Sequence, residues 1–479
     1  MTIIILNKMI KRSIKILLIL LSLTIIYIVY ANYPRLNIMS GYSAKNMSSS
    51  VFLAGRDFEF TDSNDNNFSP IDLADDEVDH ESKSASASVY GFMKRKAIYR
   101  EGLGSVLVTD DFDESEPYLT PKRTKLNTNL PYPYGELKQK DTVFSNIDYA
   151  ALQNAVNKTF SENEIEKTRA VLVIYKDQII AEKYDDGFTE NSKILGWSMT
   201  KSVTGTIYGI LQSQGKLDIN DKALIELWEN DERANITIND LLHMNSGLEW
   251  NEDYNTISDV SKMLFLAKDM SKAQKEKELA GKTNESWNYS SGTTNLLSGI
   301  LREQFNSHQE YLDFWYTNLI DRIGMHSMLI ETDLNGNYVG SSYGWATPRD
   351  WAKFGLLYLH KGNWNGDRIF DESWVDYVST PTTTSEGIYG AQFWLNSAGH
   401  LPNTPKDTFF ASGYQGQRVF IVPSKDLVVV RMGITLSNTD ELLKTVIPTK
   451  PSENKEVVEF ELSNIVFDTL LKEIIGTIN

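Results

Sequence analysis

The stretch Ser198-Met199-Thr200-Lys201 is where the reading of this chain begins. A serine hydroxyl is a weak nucleophile near neutral pH and needs a base beside it. Three residues apart at the start of a helix, Ser198 and Lys201 share a face, so the amine can reach the hydroxyl oxygen. The N-terminal end of that helix favours a developing negative charge and helps depress the lysine pKa. The following residues have helical spacing: Val203, Ile207, Ile210 and Leu211 fall on one side, and Gly215 closes the segment. Spacing alone does not decide the matter. Ser213 with Lys216, and Ser452 with Lys455, repeat the same tetrad, one at a helix end and one in a charged stretch after a proline.

Two further segments supply context. Trp287-Asn288-Tyr289-Ser290-Ser291-Gly292-Thr293 places a tyrosine in a polar, glycine-containing loop ahead of an apolar helix. A phenol beside an ammonium can pass protons between nucleophile and leaving group, although an aromatic lid over a core reads the same way. Ala411-Ser412-Gly413-Tyr414-Gln415-Gly416-Gln417 runs straight into a strand from Arg418. A glycine-rich strand edge offers backbone N–H groups to an oxyanion, and a plain bulge has the same composition.

These three segments, in this order, resemble the serine β-lactamase and D,D-peptidase superfamily, from about residue 146 to the end. Asp240-Leu241-Leu242-His243-Met244-Asn245-Ser246-Gly247-Leu248, Tyr343-Gly344-Trp345-Ala346-Thr347-Pro348-Arg349-Asp350 and Tyr389-Gly390-Ala391-Gln392-Phe393-Trp394 are similar to the branch of class C β-lactamases, family VIII-type esterases and 6-aminohexanoate-dimer hydrolase. Ser50-Val51-Phe52-Leu53-Ala54-Gly55-Arg56 resembles an N-terminal extension of some bacterial members. The resemblance implies that Ser198 is acylated, Lys201 accepts its proton and Tyr289 relays a proton to the leaving group. It implies an oxyanion hole from the backbone N–H groups of Ser198 and Tyr414, and a substrate-binding role for Ser412 and Gly413. Two positions depart from the pattern. Ser291 stands where an asparagine is usual, and Ala411 replaces a lysine that commonly binds a substrate carboxylate. β-Lactam and peptidoglycan-stem substrates are therefore disfavoured. Arg418, on the next strand, is a candidate replacement cation, unless strand alternation points it away. Trp250, Glu252 and Tyr254 follow the Ser246-Gly247 turn and are candidates to line the cleft.

Composition bounds the rest. The 479 residues are 41% hydrophobic and 23% charged, enough for a sizeable core. A net charge of -17 disfavours nucleic acid, whose phosphates need clustered Lys and Arg. Cysteine is absent, which removes disulfides, thiolate catalysis and Cys-based zinc sites. The six histidines show no metal-ligand spacing, and neither metal nor cofactor is expected. Asp62, Asn64 and Asn66 alternate as in a calcium loop. Asn67 and Leu73 occupy its required Gly and Glu positions, so residues 61–81 read as a solvated acidic loop.

Lys8, Lys11, Arg12 and Lys15 precede the uncharged residues 16–31, so the basic end should stay cytoplasmic while the rest crosses. Residues 1–31 are expected to be a signal-anchor, or a signal peptide cleaved after Val29-Tyr30-Ala31, with the catalytic part outside the cytoplasm. Residues 32–145 form an extension and linker, including the stiff Pro131-Tyr132-Pro133-Tyr134-Gly135. Hairpins near 170–181 and 418–431, with helices between, imply an α/β fold: an antiparallel sheet flanked by terminal helices and interrupted by a helical subdomain. Within residues 146–479 the sheet part covers about 146–205 and 340–479, and the helical insertion about 206–339. The expected reaction is acyl transfer to water on a small amide or ester. A cell-wall peptidase and a catalytically silent binding member of the same fold are the alternatives.

Overall fold

In a computed structural model the described residues are 2–479, apart from 110–111, 126–127, 162–165, 224 and 436–454. Ser452 of the third tetrad thus lies outside the described residues.

The run Thr168–Tyr175 is buried along its whole length, because both of its faces are covered. It lies fifth in a six-stranded antiparallel sheet. The spatial order is Trp394–Leu395, Phe409–Gly413, Gln417–Val422, Leu427–Gly433, Thr168–Tyr175 and Gln178–Tyr184. Alternate side chains serve two layers. Val171, Val173, Phe420 and Val429 meet Leu152, Val156, Phe467 and Leu471 of the terminal helices Tyr149–Lys158 and Lys455–Gly476. Ala170, Leu172, Val419 and Val428 meet Val203 and Ile207 of helix Met199–Ser213, and Trp351 and Phe354 of helix Pro348–Leu359. Between these two inner helices the chain carries several shorter helices joined by long turns and loops, including Asp259–Leu266 and Ser291–Glu303. The α/β architecture expected from the two hairpins is what forms.

Local signals act as they should. Thr237 and Asp240 cap helix Ile238–Leu242 reciprocally, and Thr347 caps Pro348–Leu359, whose first residue is the proline.

The segment before residue 145 is more than a tether. Helix Thr2–Ser48 is solvent-exposed along residues 16–33 and buried from Ile38 onward. Its buried half packs on a four-stranded antiparallel sheet, Ala74–Asp79 to Gly104–Val108, through Ala44, Ala87 and Ala97. The acidic-loop expectation for residues 61–81 is corrected here. Asp65 is buried and paired with Arg56 and Arg169, and residues 74–79 are a strand. Asp76 accepts hydrogen bonds from Ser43 and Asn66, while burial raises its pKa to about 6.

A link from this segment to the rest of the chain runs through Glu331, which is fully buried. Its carboxylate accepts from Lys45 Nζ at 2.6 Å, Ser49 Oγ at 2.9 Å, the Ser105 N–H at 2.7 Å and Trp345 Nε1 at 2.9 Å. Removing one partner of such a pair strands the other charge without water. Lys45→Met is expected to cost about 3–5 kcal/mol, read as a lower urea midpoint. Adding Glu331→Gln should recover part of that loss, and equal losses in the single and double variants would contradict a buried ion pair.

Candidate active site

Ser198 is the N-cap of helix Met199–Ser213, yet its side chain caps nothing. An N-cap serine ordinarily accepts from a first-turn N–H. Here the hydroxyl is 2.9 Å from Lys201 Nζ. The residue before it, Trp197, holds φ at 48°, a left-handed conformation costly for so large a side chain. Ser198 and Lys201 are both buried, the latter almost completely.

The environment of Lys201 determines its chemistry. Besides Ser198, Nζ lies 2.8 Å from Ser291 Oγ and 3.1 Å from the Ser341 carbonyl oxygen. The carbonyl can only accept. Ser291 Oγ donates its own proton to Glu252 Oε1, so toward Lys201 it also accepts. A neutral amine has two protons and one lone pair. With both protons committed to Ser291 and Ser341, the lone pair is left facing the Ser198 hydroxyl. Burial lowers the Lys201 pKa to about 8, against an opposing pull from Glu252. The neutral form is therefore accessible near physiological pH.

Glu252 is held in turn. Its Oε2 accepts from Trp250 Nε1 and, at 2.9 Å, from the Ser291 N–H; its Oε1 also takes the Tyr254 hydroxyl at 3.3 Å. Trp250 is thus a buried brace for this carboxylate. The sequence placed Glu252 near the cleft without a role. Ser341 contributes only a backbone carbonyl, which no residue pattern signals.

Tyr289 presents its ring 4.9 Å from Lys201 Nζ and packs against Trp394 and Tyr389. Desolvation, then the charge of Glu252, push its phenol well above the usual range, and interactions with Ser198 and Trp394 act the other way. At neutral pH Tyr289 is a phenol beside an amine that titrates near 8, so Lys201 is the stronger candidate base.

Across the cleft, Gly413 meets the nucleophile turn. A Cβ on Gly413 would collide with the carbonyl oxygen of Gly196, so glycine is what allows the two backbones to approach. Among the described residues, neither the Ser198 nor the Tyr414 N–H donates to another protein group. Backbone N–H groups without a protein acceptor are the kind of donor that can receive an oxyanion.

Strand register separates the remaining candidates. Ala411 pairs with Val419, and Ser412 with Arg418. Ala411 belongs to the layer of the nucleophile helix. Arg418 lies on the other layer. It donates to Asn464 at 2.9 Å and to the Gly413 carbonyl at 3.0 Å, over the Phe467 ring. Of the two alternatives for Arg418, the second is the one that forms: alternation turns it to the terminal helix, where it braces the strand end that carries Tyr414. Ser412 shares its face and is half-buried. Tyr254 does join the site, its ring stacked on Tyr414 at 4.6 Å. The rival tetrad is structural, with Ser213 bonded to the Gly209 carbonyl and Lys216 over Phe314.

A serine at a helix start, a buried amine 2.9 Å from its hydroxyl and a glycine strand edge opposite are set between an antiparallel sheet and the helices packed on it. The Beta-lactamase family model matches residues 162–445, more than half of the chain. The chain belongs to that family and is a serine hydrolase. The 6-aminohexanoate-dimer hydrolase of Paenarthrobacter ureafaciens is 25% identical over 293 residues, covering 55% of this chain and 72% of the relative. A Bacillus anthracis structure described as a 6-aminohexanoate-dimer hydrolase aligns with a TM-score of 0.53 and 21% identity, covering 66% of this chain and 81% of its own. The structure of EstCE1, a hydrolase with promiscuous acyltransferase activity, aligns with a TM-score of 0.50 and 12% identity, covering 66% and 98%. These two structural likenesses speak to fold.

The amine network makes a pH prediction. kcat/KM should rise with pH through about 8, as Lys201 loses its proton. Glu252→Gln removes the charge that favours the ammonium, so the rising limb should move to lower pH. A limb left in place would show that Glu252 does not act on Lys201.

Proposed function

We propose that Ser198 is the nucleophile, Lys201 its base and Tyr289 the proton relay in an acyl-enzyme hydrolysis of an ester or amide. The observation that carries this reading is the lone pair of Lys201, aimed at Ser198 by Ser291 and Ser341. Ser198 Oγ attacks the carbonyl carbon and its proton passes to Lys201. The oxyanion rests on the Ser198 and Tyr414 N–H groups. The bond to the leaving group then breaks, with the proton delivered through Tyr289. Water attacks the Ser198 ester, gives its proton to the same pair, and the acid departs as Ser198 is reprotonated.

The substrate class follows from the cation that the strand of Ala411 lacks. Ala411 gives a substrate carboxylate no cation, and Arg418 is committed elsewhere. Esters and amides without that carboxylate fit better than β-lactams or cell-wall peptides. A relative named for hydrolysing a 6-aminohexanoate dimer is compatible with a small amide.

We place the catalytic part outside the cytoplasm, held by residues 16–31 as a membrane anchor. The helix Met9–Leu53 contains a stretch long and apolar enough to cross a bilayer. It continues unbroken through Val29-Tyr30-Ala31, which favours an anchor over a cleaved signal peptide.

Ser198→Ala is expected to lower p-nitrophenyl ester hydrolysis on the order of 10³-fold or more, with an unchanged circular dichroism spectrum. Activity kept within about tenfold would place the nucleophile elsewhere. Wild type should turn over p-nitrophenyl acetate in preference to nitrocefin. Ala411→Lys should raise nitrocefin kcat/KM about ten- to a hundredfold by restoring a charge-assisted hydrogen bond. Wild-type nitrocefin turnover near about 10⁶ M⁻¹s⁻¹ would contradict the assignment.

A further inference from the structure

The helix that carries the apolar span also builds one wall beside the active site. At helical rise residues 16–31 extend about 24 Å, somewhat under the roughly 30 Å of a bilayer core. Tyr27, Tyr30 and Tyr33 are exposed at the outer end of that stretch, the position where aromatic side chains settle at a membrane interface. Arg35 comes next, exposed, and stands in the lining of a cavity of about 290 Å³. One turn further, Ile38, Met39 and Tyr42 form its first wall, and Phe68, Ile71 and Phe265 line it as well. The stacked rings of Tyr254 and Tyr414 complete the lining. The Tyr414 ring packs edge-on against Trp197, the neighbour of Ser198, at 5.6 Å, and Tyr254 is bonded to Glu252. Tyr42 stacks on Trp197, the neighbour of Ser198, with ring centres 6.2 Å apart. The cavity, whose lining also includes the polar Ser69, Asn255 and Thr256, therefore lies between the outer end of the apolar stretch and the Tyr254–Tyr414 stack that borders Glu252 and Trp197.

We propose that the substrate is a long-chain acyl ester taken from the bilayer, its acyl chain lying in this cavity and its carbonyl at Ser198. This rests on the acyl-enzyme and anchor readings above. The bond to the alcohol breaks as the Ser198 ester forms, the alcohol leaving with the serine proton. Water then releases the fatty acid and restores Ser198. Arg35 supplies a cation at the mouth, level with lipid headgroups.

The test uses the full chain reconstituted in phosphatidylcholine vesicles, with p-nitrophenyl esters from acetate to dodecanoate. In wild type kcat/KM should climb with chain length, by up to about fourfold per methylene buried, and level off once the cavity is filled. Met39→Trp narrows the cavity and should reduce the dodecanoate-to-acetate ratio about tenfold or more. Ile257→Trp, at a half-buried lining position, should do the same and guards against misfolding of the first variant. Independently of any variant, a dodecyl fluorophosphonate should label Ser198 faster than an ethyl one. Acetate as the best ester, with equal labelling by both probes, would overturn the lipid proposal and leave the hydrolase standing. No hydrolysis at any length and no labelling of Ser198 would overturn the hydrolase reading and the proposal together.

Discussion

A lysine amine removed from water is the constraint around which this site is organised. Lys201 is 1% exposed, and its polar partners come from three separate parts of the chain: Ser198, Ser291 and the Ser341 carbonyl. A buried amine is tolerable only when its hydrogen-bonding capacity is met. Meeting it draws the start of the nucleophile helix, the start of helix Ser291–Glu303 and the turn before Gly344 onto one point. Glu252 then determines the direction of the network. Because it accepts the Ser291 proton, Ser291 can only accept from Lys201. The amine's lone pair is what remains for Ser198. Satisfying the buried amine and orienting its lone pair are here one requirement.

The elements with short-range signatures were legible in the sequence. The two hairpins, the capped helices at Thr237 and Thr347, and the pairing of Ser198 with Lys201 all rest on spacing within a few residues, and all form. What escaped rests on contacts between distant residues. Asp65 sits in a polar stretch that looks solvated, but Arg169, near the start of the strand Thr168–Tyr175, draws it inside. For Arg418 the sequence left two alternatives open, and its pairing with Ser412, opposite in facing to Ala411, decides for the terminal helix. Ser341 acts through its backbone, where side-chain identity carries no information.

The N-terminal region ties these features to location. Lys45 and Glu331 form a buried ion pair that ties helix Thr2–Ser48 to the segment around Trp345. Such a pair contributes little net stability, since desolvation offsets much of its Coulomb attraction. Its consequence is geometric: residues 38–42 of the helix are held beside Trp197, Tyr254 and Tyr414, within reach of the nucleophile turn.

The central claim, a covalent acyl-enzyme at Ser198, is tested most directly by mass spectrometry of the full-length protein acid-quenched during turnover of a p-nitrophenyl ester. The account predicts a mass increase equal to one acyl group, with the modification on Ser198 after peptide mapping. It also predicts loss of the adduct in Lys201→Met. An adduct on another residue, or steady ester turnover with no adduct in a rapid-quench time course from the first turnover onward, would contradict it.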